Sequence, residues 1–274
     1  MISAAKEKYN QRAQKINSLL CVGLDPDFGK LPEKFRGMQN PQFEFNKWII
    51  DQTAEYAAAF KPNVASYEVR GVEGWQELGM TVRYLQENYP DIFTICDAKR
   101  ADIGYTSELY AQAILDNLDF DAVTLHPYLG MDAIKPFLDR RDKVSIILCR
   151  TSNPGAGEFQ DLECAVSPSG EKSGPLWQVV AHKVSKDWNY NHNCMLVVGA
   201  TYPVELGKVR EIVGEMSLLE PGVGTQGGSV EAVVKVGLNS QKKGLIINSS
   251  KGIIFSQDPK AEAKKLRDEI NKYR

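Results

Sequence analysis

Eight short apolar runs punctuate the chain: 19-LLCVGL-24, 59-AFKPNVA-65, 92-IFTIC-96, 121-DAVTL-125, 144-VSIILC-149, 194-CMLVV-198, 216-MSLL-219 and 244-GLIIN-248. They show little polar alternation, so each reads as a strand buried on both faces, the mark of a parallel sheet covered by helices. Between most of them lie helical patterns. In 45-FNKWIIDQTAEYAAA-59, 75-WQELGMTVRYLQ-86 and 176-LWQVVAHKVSKDW-188 the apolar residues recur three and four apart. The final segment, 258-DPKAEAKKLRDEINKYR-274, opens with Asp then Pro, a helix-start signal. Eight such units in 274 residues fit a (β/α)8 TIM barrel better than an open doubly wound sheet. No linker divides the chain, so residues 1–274 read as one α/β barrel domain. One segment breaks the pattern. The polar connection 151-TSNPGAGEFQDLECAVSPSGEKSG-174 is long for a compact domain and is a candidate lid.

Composition narrows the partners. A formal net charge of −2 with 25% charged residues gives no electrostatic reason to expect nucleic acid or an anionic membrane. The start, MISAAKEKYNQRAQ, lacks the apolar core of a signal peptide. No apolar run approaches the roughly 20 residues that a membrane span needs. The five cysteines contain no C-x-x-C pair and read as reduced, mostly buried thiols of a cytoplasmic protein.

Barrel enzymes carry chemistry where strands end and βα loops begin. Polar residues collect there: Asp25 after the first run, Lys61 on the second, Asp97 and Lys99 after the third, and His126 after the fourth. Ser152 and Asn153 follow the fifth. His126 reads as a satisfied buried histidine. The densest stretch is 97-DAKRADIGYTS-107, with Asp97, Lys99 and Asp102 at D-x-K-x-x-D spacing. Alternation along a strand lets Asp97 and Lys99 point the same way. A lysine between carboxylates keeps its ammonium form and is suited to protonate a developing carbanion. The alternative is an ion-pair network that holds the loop. Lys61 adds a second cation to the same mouth, and such an alternating array is costly to desolvate for stability alone.

The seventh run leads into 221-PGVGTQGG-228, with Gly222, Gly224 and Gly227 in G-x-G-x-x-G order before a helix that starts near Ser229. A dinucleotide fingerprint is a weak match, because QKKG occupies the stretch where an acidic residue belongs. Glycines that expose backbone N–H groups to an anion, next to a helix N-terminus, suit a phosphate instead. Lys251, in NSSKG, supplies a countercharge. A tight turn that needs glycine for backbone reasons is the alternative.

Taken together, VGLDPD, FKPN, DAKRADIGYTS, TSNPG and PGVGTQGG resemble the orotidine 5′-phosphate decarboxylase family, in its longer bacterial-type branch. The resemblance runs from about Asp25 to Lys251. It implies conversion of orotidine 5′-monophosphate to UMP and CO2 in de novo pyrimidine synthesis, with no metal or organic cofactor, by a homodimer with shared active sites. It also implies roles. Lys99 would be the proton donor to C6, Asp97 would lie beside the substrate carboxylate, and Lys61 would complete the array near the ribose. Asp102 and Thr106 would reach the neighbouring subunit's site. Asp25 is similar to the ribose-hydroxyl ligand, Ser152 to the residue that reads the pyrimidine edge, and Gln226 to the side chain that spans phosphate and base. One position departs from the pattern: Lys251 stands where the family usually has arginine, keeping the charge but losing the two-pronged contact.

Three rival readings remain. A sugar-phosphate decarboxylase of the same superfamily shares D-x-K-x-x-D but needs Mg2+ and a further carboxylate at the mouth, where the second strand offers Lys61. A Schiff-base aldolase needs a lysine of lowered pKa, the opposite of one locked between carboxylates. A non-enzymatic nucleotide-binding barrel would keep the loops without the chemistry.

Overall fold

Each of the eight apolar runs forms a strand: β1 (Leu20–Gly23), β2 (Ala59–Lys61), β3 (Phe93–Arg100), β4 (Ala122–Leu125), β5 (Val144–Arg150), β6 (Cys194–Val198), β7 (Leu218–Pro221) and β8 (Leu245–Ser249). They pair in parallel in chain order, and β8 returns to β1 to close the barrel. This computed structural model describes residues 3–165, 173–222 and 228–274. The expected single (β/α)8 barrel is the observed architecture.

Register decides what faces the axis. Phe60 packs outward with Phe45, Ile49 and Ile50 of the helix Pro41–Thr53. Its neighbours Ala59 and Lys61 therefore turn toward the barrel interior. The covering helices start and stop where local chemistry dictates. Asp258 caps Pro259–Lys272 by accepting from Ala261 N at 2.9 Å, with Pro259 at the first position. Ser229 likewise caps Val230–Gly237. The expected helix over 176–188 is present, but it widens to π geometry from Lys183. Trp177, Ala181, Val184 and Trp188 still bury one stripe.

The polar N-terminus has a job that its hydropathy conceals. Helix Ala4–Lys15 crosses the N-terminal ends of the strands. Tyr9 meets Phe93 edge-on at 5.6 Å and donates to the Leu245 carbonyl at 2.5 Å. Lys8 pairs with Asp121 at 2.7 Å, and Ala5 N donates to the Asp142 carbonyl. These partners all lie at or just before strand starts, so the helix seals that end and the barrel opens at the other.

The connection over 151–174 is not structureless where it is described. It holds a 3-10 turn (Pro154–Ala156), a short helix (Gly157–Gln160), and an antiparallel pair of Glu163–Ala165 with Ser173–Pro175. Three-residue strands with few buried residues carry too little pattern to be read from sequence. Cys21, Cys96, Cys149 and Cys194 are buried, Cys164 is half-buried, and all five are free. Burial pushes the Cys194 thiol up to about 12 and the other three buried thiols higher still. His126 is only half-buried; its Nε2 lies 3.2 Å from the Ala101 carbonyl. Among the described residues, no helix is long and apolar enough to cross a membrane.

Candidate active site

A cavity of about 670 Å3 occupies the open end of the barrel. Its wall has three chemically distinct parts. The ends of β1 to β4 supply Asp25, Lys61, Asp97, Lys99 and Thr124. The segment after β5 supplies the neutral Thr151, Ser152, Asn153 and Gln160. The ends of β7 and β8 supply Pro221, Gly222, Ser249, Ser250 and Lys251.

Asp97 is the hub of the charged wall. Lys61 Nζ lies 2.8 Å from its Oδ2, Lys99 Nζ lies 2.5 Å from its Oδ1, and Thr124 Oγ1 donates to Oδ1 at 2.9 Å. Burial by itself pushes the Asp97 carboxyl up, but the Lys61 and Lys99 charges outweigh it and hold the group well below the usual carboxylate range. Burial likewise works against the Lys61 ammonium, and Asp25 and Asp97 together overcome it, so that this lysine is held above its ordinary value. Both groups are therefore ionised at neutral pH. Asp25 is fixed from the other side, accepting from Asn63 N at 2.8 Å.

Lys99 reaches Asp97 by a route that strand alternation does not describe. Its φ is +49°, in the left-handed region that costs a non-glycine residue about 1–3 kcal/mol. The β3–β4 register shifts between Cys96 and Arg100 as a result. Lys99 N then donates to Thr124 Oγ1 at 3.0 Å, so one threonine holds both the backbone of Lys99 and the carboxylate it meets. Lys99 is the accessible member of the array: its side chain is 47% exposed, against 4% for Lys61.

Close packing sets the neutral wall. A methyl group on Gly199 would lie 2.9 Å from Ser152 Cβ and 3.0 Å from Ser152 N, so glycine there lets the segment after β5 sit against the end of β6. At the third part of the wall, Gly222 has φ +98° and lines the cavity where β7 ends. Lys251 lines both this cavity and an adjoining one of about 460 Å3. Gly224, Gln226 and Gly227 lie outside the described residues.

Of the expected site residues, Asp25, Lys61, Asp97, Lys99, Ser152 and Lys251 come together around one cavity. Asp102 and Thr106 do not line it. Asp102 is half-buried, its carboxylate accepting from Ile103 N at 2.7 Å, and Thr106 is exposed on the helix Gly104–Ala111. Sequence reasoning missed Asn63, Thr124, Gln160 and Asn248 in the cavity wall. Thr124 had a signal, a lone hydroxyl within the apolar run AVTL at the inward position. Among the described residues, no three His, Cys, Asp or Glu side chains gather as a metal cage.

Comparison with known proteins gives consistent results. The model of the orotidine 5′-phosphate decarboxylase / HUMPS family matches residues 18–266. An orotidine 5′-phosphate decarboxylase of Christiangramia forsetii is 46% identical over 252 residues, covering 92% of this chain and 89% of the relative. One from Flavobacterium johnsoniae is 45% identical over 267 residues, covering 97% and 94%. Among solved structures, the Leishmania donovani OMP decarboxylase superposes with a TM-score of 0.86 at 38% identity, covering 98% of each chain.

Proposed function

The chain belongs to the orotidine 5′-phosphate decarboxylase / HUMPS family, and from that premise we propose that it converts orotidine 5′-monophosphate to UMP and CO2. The observation that carries this reading is the charged array: a buried carboxylate held between two ammonium groups, 2.8 and 2.5 Å away, on one wall of a nucleotide-sized cavity.

In this reading the C6–carboxylate bond breaks, CO2 departs, and the electron pair stays on C6 in the ring plane. Lys99 donates its proton to that carbon and is reprotonated from solvent. Its ammonium stands where negative charge develops and is preorganised by Asp97, so little reorganisation is needed during the reaction. Asp97 also faces the substrate carboxylate, a repulsion relieved as CO2 leaves. Lys61 keeps Asp97 ionised, and Asp25 takes the ribose hydroxyls. Ser152 reads the pyrimidine edge. Lys251, the glycine loop and Gln226 hold the 5′-phosphate, whose binding energy closes the site, with the 151–174 segment as lid. The protein itself supplies the electrostatic stabilisation, and neither metal nor organic cofactor takes part.

Asp102 and Thr106 act in the partner's site of a homodimer. Support comes from the surface around them: Val69, Val72, Ile103, Tyr105 and Tyr128, on the consecutive connections after β2, β3 and β4, are all at least 65% exposed. An apolar patch beside a catalytic mouth suits a subunit interface. The free cysteines suit a reducing cytoplasm.

The decisive experiment is loss of orotate absorbance on mixing purified protein with orotidine 5′-monophosphate, with and without chelator. Turnover is expected in both. No change in absorbance rejects the activity. Turnover abolished by chelator contradicts a reaction that runs without metal.

A further inference from the structure

The neutral wall of the cavity contains a hydrogen-bond chain with a fixed direction. Arg150, the last residue of β5, is 4% exposed and stacks on Tyr202 at 4.2 Å. Its guanidinium donates to Gln160 Oε1 at 3.2 Å and to Asp161 at 3.1 Å. Thr151 N donates to the same Gln160 oxygen at 2.9 Å. Gln160 Nε2 donates to Thr151 Oγ1 at 2.7 Å, and Thr151 Oγ1 donates to Asn153 Oδ1 at 2.7 Å.

The direction follows from the anchor. A guanidinium has donors and no acceptor, and a backbone N–H only donates. Both point at one end of the Gln160 amide, which must therefore be the oxygen. The amide nitrogen is then turned toward Thr151, and the threonine hydroxyl, having accepted one bond, passes its single proton to Asn153. The Gln160 amide, normally ambiguous about which end is which, is thereby set. Asn153, which lines the cavity, spends its oxygen on Thr151, and its Nδ2 hydrogens have no hydrogen-bond partner among the described residues.

We propose that Asn153 is a specificity-determining residue whose amide nitrogen selects a pyrimidine carrying a carbonyl at C4, with Arg150 and Gln160 as the positioning residues that fix its polarity. The assignment rests on the decarboxylase reading above and goes beyond it. Uracil presents an acceptor at O4, whereas cytosine presents an amino donor at that position. A donor facing a donor leaves both unsatisfied and costs roughly tenfold or more in affinity.

The test compares UMP and CMP binding by calorimetry in the full-length protein, alongside turnover of orotidine 5′-monophosphate. Wild type should prefer UMP by about tenfold or more. Asn153→Asp replaces the donor with an acceptor on an exposed residue and should lower the UMP:CMP affinity ratio at least tenfold. Gln160→Glu keeps the acceptor for Arg150 but removes the donor to Thr151; the hydroxyl then turns back toward the new carboxylate, Asn153 is free to flip, and the ratio should drift toward one. A simple packing role would weaken both nucleotides alike and leave the ratio unchanged. An unchanged ratio in Asn153→Asp, with turnover of orotidine 5′-monophosphate in wild type, overturns this assignment alone. Wild-type protein that neither turns over the substrate nor binds UMP sinks the decarboxylase reading itself.

Discussion

Lys61 holds its ammonium 2.8 Å from Asp97 Oδ2 with only 4% of its side chain exposed. A buried pair contributes little net stability when both members are present, but removing one strands the other. Lys61→Ala should therefore destabilise the fold by about 3–5 kcal/mol, measured by urea denaturation at neutral pH. A loss well under 1 kcal/mol would mean that water reaches Asp97 and solvates it.

The pair also sets a pH window. The folded-state value of Asp97 lies below its ordinary one. Its contribution is thus present above about pH 3.9 and lost as pH falls through the folded value. Lys61 is held above its ordinary value, so its contribution is present below about pH 10.4 and lost as pH rises through the folded value. The stability gap between wild type and Asp97→Asn should stay flat from about pH 5 to 9 and shrink below about pH 4. A gap that closes near neutrality would contradict an ionised Asp97.

Lys99 is half-exposed and contributes little to the core, so its loss should separate chemistry from folding. Lys99→Ala is expected to reduce kcat by at least ~1,000-fold while UMP still binds and Tm moves by only a few degrees. Near-normal turnover would refute its role as proton donor.

Asp102 and Thr106 lie away from the cavity of their own chain, which gives a mixing test. Inactive Asp97→Asn and Asp102→Asn subunits, once exchanged, should recover about a quarter of wild-type activity per site, because a mixed dimer holds one intact site. No recovery after exchange has been verified by mass spectrometry would place Asp102 outside the partner's site.

Lys251 should discriminate phosphorylated from bare ligand. Lys251→Ala is expected to raise KM for orotidine 5′-monophosphate by about tenfold or more, with orotidine affected little. Lys251→Arg should retain or improve binding, since a planar fork suits phosphate. Equal effects of the alanine variant on both ligands would remove Lys251 from the phosphate site.

The barrel was legible in the chain because its information is local. Eight short, unalternating apolar runs separated by amphipathic helices read as strands buried on both faces, and in a barrel the polar residues just past them crowd one mouth; Asp25, Lys61, Asp97, Lys99, Ser152 and Lys251 are legible this way. Tertiary structure alone decided the rest, where partners are distant in sequence or the backbone leaves its regular path. The helix Ala4–Lys15 seals the barrel floor through contacts with Phe93 and Leu245, which no hydropathy pattern of its own announces. Lys99 meets Asp97 through a left-handed backbone that strand periodicity excludes. The polarity of Asn153 descends from Arg150 through Gln160, a sequence of donors and acceptors that exists only once the chain has folded back on itself. Periodicity encodes which face is buried; which atom gives a hydrogen bond and which receives it is encoded by closure.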